Sequence, residues 1–89
     1  MTVSDRNPRI LDRVRAVILA QRSDLTAADI DVFTVLNDAP LSFDSLDLAK
    51  FIVGLEVEFG IIAVDQDFAA LRTIGDAVAF VESSRKVRG

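Results

Sequence analysis

Between Asp44 and Gly60 the chain carries apolar residues at Leu48, Phe51, Ile52, Leu55 and Phe59, spaced i, i+3, i+4, i+7 and i+11. That is the period of an α-helix with one buried stripe, and a strand would scatter the same residues over both of its faces. Asp44 or Ser45 is a good helix-start residue. Gly60 is a natural stop, because glycine enters the left-handed conformation that ends helices at no steric cost. A second apolar set, Leu46, Ala49, Val53 and Val57, falls off the stripe. A helix apolar on two sides is either buried from two directions or offers a surface to a partner.

The rest of the chain also reads as helix. Asn7-Pro8 is an N-cap followed by proline at the first helical position, and Ile10, Leu11, Val14, Val17 and Ile18 then recur on a helical period to about Arg22. From Ser23 to Phe43 the pattern is irregular. This predicts a long loop, with room for a short helical turn, pinned by Leu25, Ile30, Phe33, Val35 and Leu36. The alternation over Asp31–Leu36 resembles a strand but has no partner strand in the sequence, so it is read as loop. Asp65 to Leu71 predicts a short helix with Phe68 and Leu71 inward. Thr73, with Asp76 three residues on, caps a last helix whose buried face is Ile74, Ala77, Val78 and Val81. The chain then ends in a polar tail, Ser83 to Gly89. The fold class is therefore all-α: a small bundle of three principal helices plus one short helix, with a long loop between the first two. One domain, 1–89, is expected, with 1–6 and 84–89 as flexible ends.

Composition excludes several chemistries. With no histidine and no cysteine among 89 residues, neither a Ser-His nor a Cys-His machine can be assembled, and thiolate metal sites and disulfides are impossible. No apolar run approaches a membrane span, and the polar N-terminus is no signal peptide, which predicts a cytoplasmic protein without a membrane partner. The net charge of −4 is unevenly spread. Residues 24–67 hold ten acids against Lys50 alone, whereas residues 1–23 are basic, with Arg6, Arg9, Arg13, Arg15 and Arg22. The arginines read most simply as a solvated face. The acidic middle disfavours nucleic acid and favours partners with basic patches.

Ser45 stands in that acidic stretch, within Asp44-Ser45-Leu46-Asp47. This run is followed by Glu58-Phe59-Gly60-Ile61, then Asp65, then Thr73-Ile74-Gly75-Asp76-Ala77-Val78 and Phe80-Val81. In sequence and spacing the series resembles the acyl carrier protein family, from Leu41 onward. The resemblance implies that Ser45 is the attachment residue for 4′-phosphopantetheine and that Asp44 assists Mg²⁺ in the transferase complex. It implies a carrier of acyl thioesters in fatty-acid or related lipid and polyketide biosynthesis, and not an enzyme. The implied partners are a phosphopantetheinyl transferase and acyl-loading and acyl-processing enzymes, meeting a monomer at Leu46, Asp47, Lys50, Val53 and Glu56. Two other functions fit the same residues: a non-covalent helical interaction module, and a peptidyl or aminoacyl carrier, although the acidic second helix is closer to acyl carriers. Three departures suggest a specialised member. Ser42 stands where the family usually has glycine, Lys50 where an acid is common, and Val64 where proline is common. Without glycine at 42, the turn into the second helix cannot rely on glycine's freedom at positive φ, and residue type alone leaves its conformation open.

Overall fold

Four α-helices follow one another as α1 (Val3–Gln21), α2 (Ser45–Phe59), α3 (Asp65–Ala70) and α4 (Ile74–Arg88), with a 3-10 turn at Ala27–Asp29 inside the first connection. The computed structural model describes residues 3–88; residues 1, 2 and 89, within the ends expected to be flexible, lie outside that range. No strand occurs among the described residues. The small helical bundle expected from the apolar periods is therefore the observed fold.

Two helix ends differ from expectation. α1 begins at Val3, so Asn7-Pro8 lies inside the helix and not at its cap. Residues 3–6 contain no glycine or proline to stop a helix, and a proline this near the start removes only one ladder bond. α4 runs to Arg88, through the expected polar tail. That tail also lacks a glycine or proline before Gly89 to stop the helix.

The core joins α1, α2 and α4 with the long loop. Ile10, Val14 and Ile18 of α1 pack with Phe51, Ile52 and Leu55 of α2 and with Ile74, Ala77, Val78 and Val81 of α4. Leu25, Ile30, Leu36, Leu41 and Phe43 enter the same core from the loop. Helices α1 and α2 approach closely at Gly54, where an added Cβ would lie 2.6 Å from Cγ1 of Val17. Two aromatic expectations fail. Phe33 is 84% exposed and Phe68 is 37% exposed. Phe33 sits in a tight turn whose backbone, not side chain, makes the contact: the carbonyl of neighbouring Val32 accepts the Gly75 N–H at 2.9 Å.

The loop is held by backbone as well as by its apolar residues. The Leu36 N–H donates to the Arg72 carbonyl at 2.8 Å and the Ile74 N–H donates to the Thr34 carbonyl at 2.9 Å. These form an isolated antiparallel bridge, Val35 with Thr73. The strand-like alternation thus has a partner, the short link before α4, too short to count as a strand. Thr73 and Asp76 form the expected capping box: the Thr73 N–H donates to Asp76 and the Asp76 N–H to the Thr73 hydroxyl, both at 3.1 Å.

Two arginines of the first helix, Arg13 and Arg15, are ties and not merely part of a solvated face. Arg13 donates to the Glu58 carboxylate at 2.9 Å and to the Glu58 carbonyl at 3.0 Å, and its guanidinium lies 4.4 Å from the centre of the Phe59 ring. It thereby satisfies a carbonyl at the C-terminal end of α2. Arg15 donates to the Ile30 carbonyl at 2.7 Å.

Candidate functional site at the start of the second helix

Ser45 is the first residue of α2 and is exposed; among the described residues its hydroxyl has no hydrogen-bond partner. Asp44 is the N-cap, in extended conformation, and its Oδ1 accepts the Asp47 N–H at 2.8 Å. Asp47 Oδ2 returns the favour, accepting the Asp44 N–H at 3.2 Å. Two orphan donors of the first turn are thus satisfied reciprocally, while the Ser45 hydroxyl stays free. The Asp47 backbone N–H holds the Asp44 carboxyl below its usual value, so Asp44 is anionic at neutral pH. The positive end of the α2 dipole also favours a phosphate at this position.

The segment entering this cap is unusually constrained. Ser42 has φ 52°, the left-handed conformation, so the turn does use positive φ despite lacking glycine. Hydrogen bonds fix the backbone on both sides of it. The peptide between Leu41 and Ser42 gives its carbonyl to Nη1 of Arg22 and its N–H to the Asp38 carbonyl, each at 2.8 Å. The next N–H, of Phe43, donates to the Leu36 carbonyl at 2.8 Å. The Phe43 ring packs edge-on against Phe51 of α2, with centroids 5.8 Å apart. Gln21 Nε2 donates to the Asp47 carbonyl at 3.0 Å, tying the end of α1 to the first turn of α2.

Beside the hydroxyl lies a cavity of about 400 Å³, walled by Leu36, Phe43, Leu48 and Leu71, with Asn37 and Arg72 as polar lining and Asp44 and Ser45 completing it. An exposed serine beside an apolar-walled cavity fits a long, flexible, largely uncharged arm attached through a phosphodiester. Among the described residues no group of three or more His, Cys, Asp or Glu side chains could hold a metal ion. No helix there is long and apolar enough to cross a membrane.

The outward face of α2 carries Leu46, Lys50, Val53 and Val57, spaced i, i+4, i+7 and i+11 and all exposed. Asp47 and Glu56 lie on its flanks and serve the backbone: Asp47 caps the helix, and Glu56 accepts the Ala63 N–H at 2.9 Å. Lys50 takes part in no ion pair among the described residues, so the intrahelical pair with Asp47 that spacing allows is not made. The sequence-expected residues therefore gather around one end and one face of α2. Val57, 80% exposed, belongs to that face as well, and its place in the off-stripe apolar set was the signal for it. Asn37, Arg72 and Arg22 had no such signal, because only the folded loop brings them near Ser45.

Residues 12–81 match the family described as phosphopantetheine attachment site. The chain belongs to this acyl carrier protein family. The family's resident group is 4′-phosphopantetheine, held covalently. The chain is also 36% identical over 75 residues to acyl carrier protein 2, chloroplastic, of Arabidopsis thaliana, an alignment covering 84% of this chain and 54% of that protein. It thus spans about half the length of the curated relative it matches.

Proposed function

We propose that this chain is an acyl carrier, not an enzyme, and that Ser45 is its attachment residue. The observation that carries this is the free, exposed hydroxyl at the first position of α2, next to an anionic N-cap and an apolar-walled cavity. In the transferase complex Ser45 Oγ attacks the phosphorus of coenzyme A that bears pantetheine. An Oγ–P bond forms, the pyrophosphate P–O bond breaks, the adenosine bisphosphate half leaves, and the hydroxyl proton passes to a base of the transferase. Asp44, with Oδ1 occupied by the Asp47 N–H, keeps its other oxygen for a Mg²⁺ of that complex. When bound, the group supplies the thiol that this cysteine-free chain lacks, on which acyl intermediates are carried as thioesters.

The partners proposed are the transferase and acyl-loading and acyl-processing enzymes of fatty-acid or related lipid biosynthesis, in the cytoplasm, acting on a monomer. Leu46 and Val53 form the apolar contact, with Asp47, Lys50 and Glu56 as a charged rim; Val57 extends it. Apolar anchors inside a charged rim suit a protein interface, and rim charges act mainly on encounter rate. Lys50 repels the basic patches of general fatty-acid enzymes, so Lys50→Glu is expected to raise loading by such an enzyme at low salt without changing Tm. The attachment claim is tested by incubating the protein with coenzyme A, Mg²⁺ and a broad-specificity transferase and mapping the product by mass spectrometry. One phosphopantetheine per chain, on the peptide containing Ser45 and absent from Ser45→Ala, is the expected result. Modification at another residue would reject Ser45.

A further inference from the structure

We infer that Arg22 is a positioning residue for the modification of Ser45, by holding Ser42 in the left-handed conformation that delivers Asp44 and Ser45 to the start of α2. The inference rests on the carrier function proposed above. Arg22 lies just beyond α1, with its side chain 23% exposed. Nε and Nη2 make a bidentate pair with Asp24 at 2.9 and 2.8 Å, which fixes the plane of the guanidinium. The remaining Nη1 then points at the Leu41 carbonyl, 2.8 Å away. The same guanidinium lies 5.8 Å from the centre of the Phe43 ring. Arg22 therefore contacts the residues on both sides of Ser42.

The mechanism follows from the peptide planes. The φ and ψ of Ser42 are the angles between the Leu41–Ser42 and Ser42–Phe43 peptides, so orienting both planes fixes both angles. A non-glycine residue leaves positive φ readily unless its surroundings forbid it. Leu41 is fully buried, so its carbonyl has no water to turn to if the arginine is removed. Rotation of that peptide is then the easiest relief, and it takes Ser42 out of the left-handed region and misdirects the cap. A chain with glycine at 42 would need no such clamp, because glycine occupies positive φ freely. Arg22 compensates for the serine.

The test compares wild type, Arg22→Met, Arg22→Lys, and Arg22→Met combined with Ser42→Gly or with Ser42→Ala, using coenzyme A and a phosphopantetheinyl transferase. If only a fraction of the carrier is competent, KM for the carrier rises by the inverse of that fraction while kcat is unchanged. Arg22→Met should raise KM about tenfold at constant kcat, and Arg22→Lys, which keeps one donor, should raise it less. Adding Ser42→Gly should bring KM back to within about threefold of wild type, whereas Ser42→Ala should not. Amide exchange at Ser42 and Phe43 reads the same loop without the transferase and should quicken about tenfold in Arg22→Met, leaving the α2 core amides unchanged. A modified wild type with unaltered KM and loop exchange in Arg22→Met would overturn the inference and leave the carrier function standing. A raised KM that glycine at 42 does not relieve would overturn it too. An unmodified wild type whose loop exchange still responds to Arg22 would keep the clamp and reject the function it serves.

Discussion

The two apolar sets of α2 are alike in their helical spacing and opposite in fate. Inward, Phe51, Ile52 and Leu55 are buried against α1 and α4; outward, Leu46, Val53 and Val57 stand in solvent beside Lys50. One hydrophobic set builds the bundle and the other is left over by it. An apolar residue is informative about function where the fold has no use for it.

The largest effect expected separates these faces directly. Leu55→Ala removes a fully buried side chain and should cost about 2–5 kcal/mol in denaturant unfolding. At Gly54, between the faces, Gly54→Val would drive a side chain into Val17 and should cost about 1–3 kcal/mol, again by denaturant unfolding. The entry to the helix responds in the other direction. Ser42→Gly relieves the left-handed strain, offset in part by a freer unfolded chain, and should stabilise by about 0.5–1 kcal/mol. On the outward face, Val53→Ser and Val57→Ser should change stability by no more than about 0.5 kcal/mol while raising the transferase KM for the carrier. Equal losses of stability on both faces would break the comparison.

Among the described residues acid should act at the helix start and at the Arg22–Asp24 pair, where the Arg22 hydrogen bond holds the Asp24 carboxyl below its usual value. The Asp44 carboxyl titrates below its ordinary value of 3.8 in the folded chain, so it binds fewer protons there than when unfolded. Its contribution is therefore complete above that value and is lost as the pH falls below it. Asp44→Asn, which can still cap but does not titrate, should show a smaller loss of Tm between pH 5 and pH 3.

How much of this was legible follows the range of the interactions. The helix periods, the Thr73–Asp76 box and the serine at the start of α2 are local patterns, set by residues within a turn of one another, and they read directly from the sequence. The Arg22 tie to Leu41 spans 19 residues and the Arg13 tie to Glu58 spans 45, and neither residue's neighbours in sequence hint at its partner. The Val35–Thr73 bridge escaped for the same reason. Phe33 and Phe68 failed differently: their hydrophobicity predicts burial, but a tight turn and a six-residue helix give them no core to enter. The left-handed Ser42 could not be foreseen from residue type, because tertiary hydrogen bonds, not local preference, impose it.

The absence of cysteine gives the central claim a direct measurement. After treatment with coenzyme A, Mg²⁺ and a phosphopantetheinyl transferase, followed by removal of free coenzyme A, thiol titration of the unfolded protein should find one thiol per chain in wild type and none in Ser45→Ala. No thiol in wild type with several transferases, or one thiol in Ser45→Ala, would contradict carriage at Ser45.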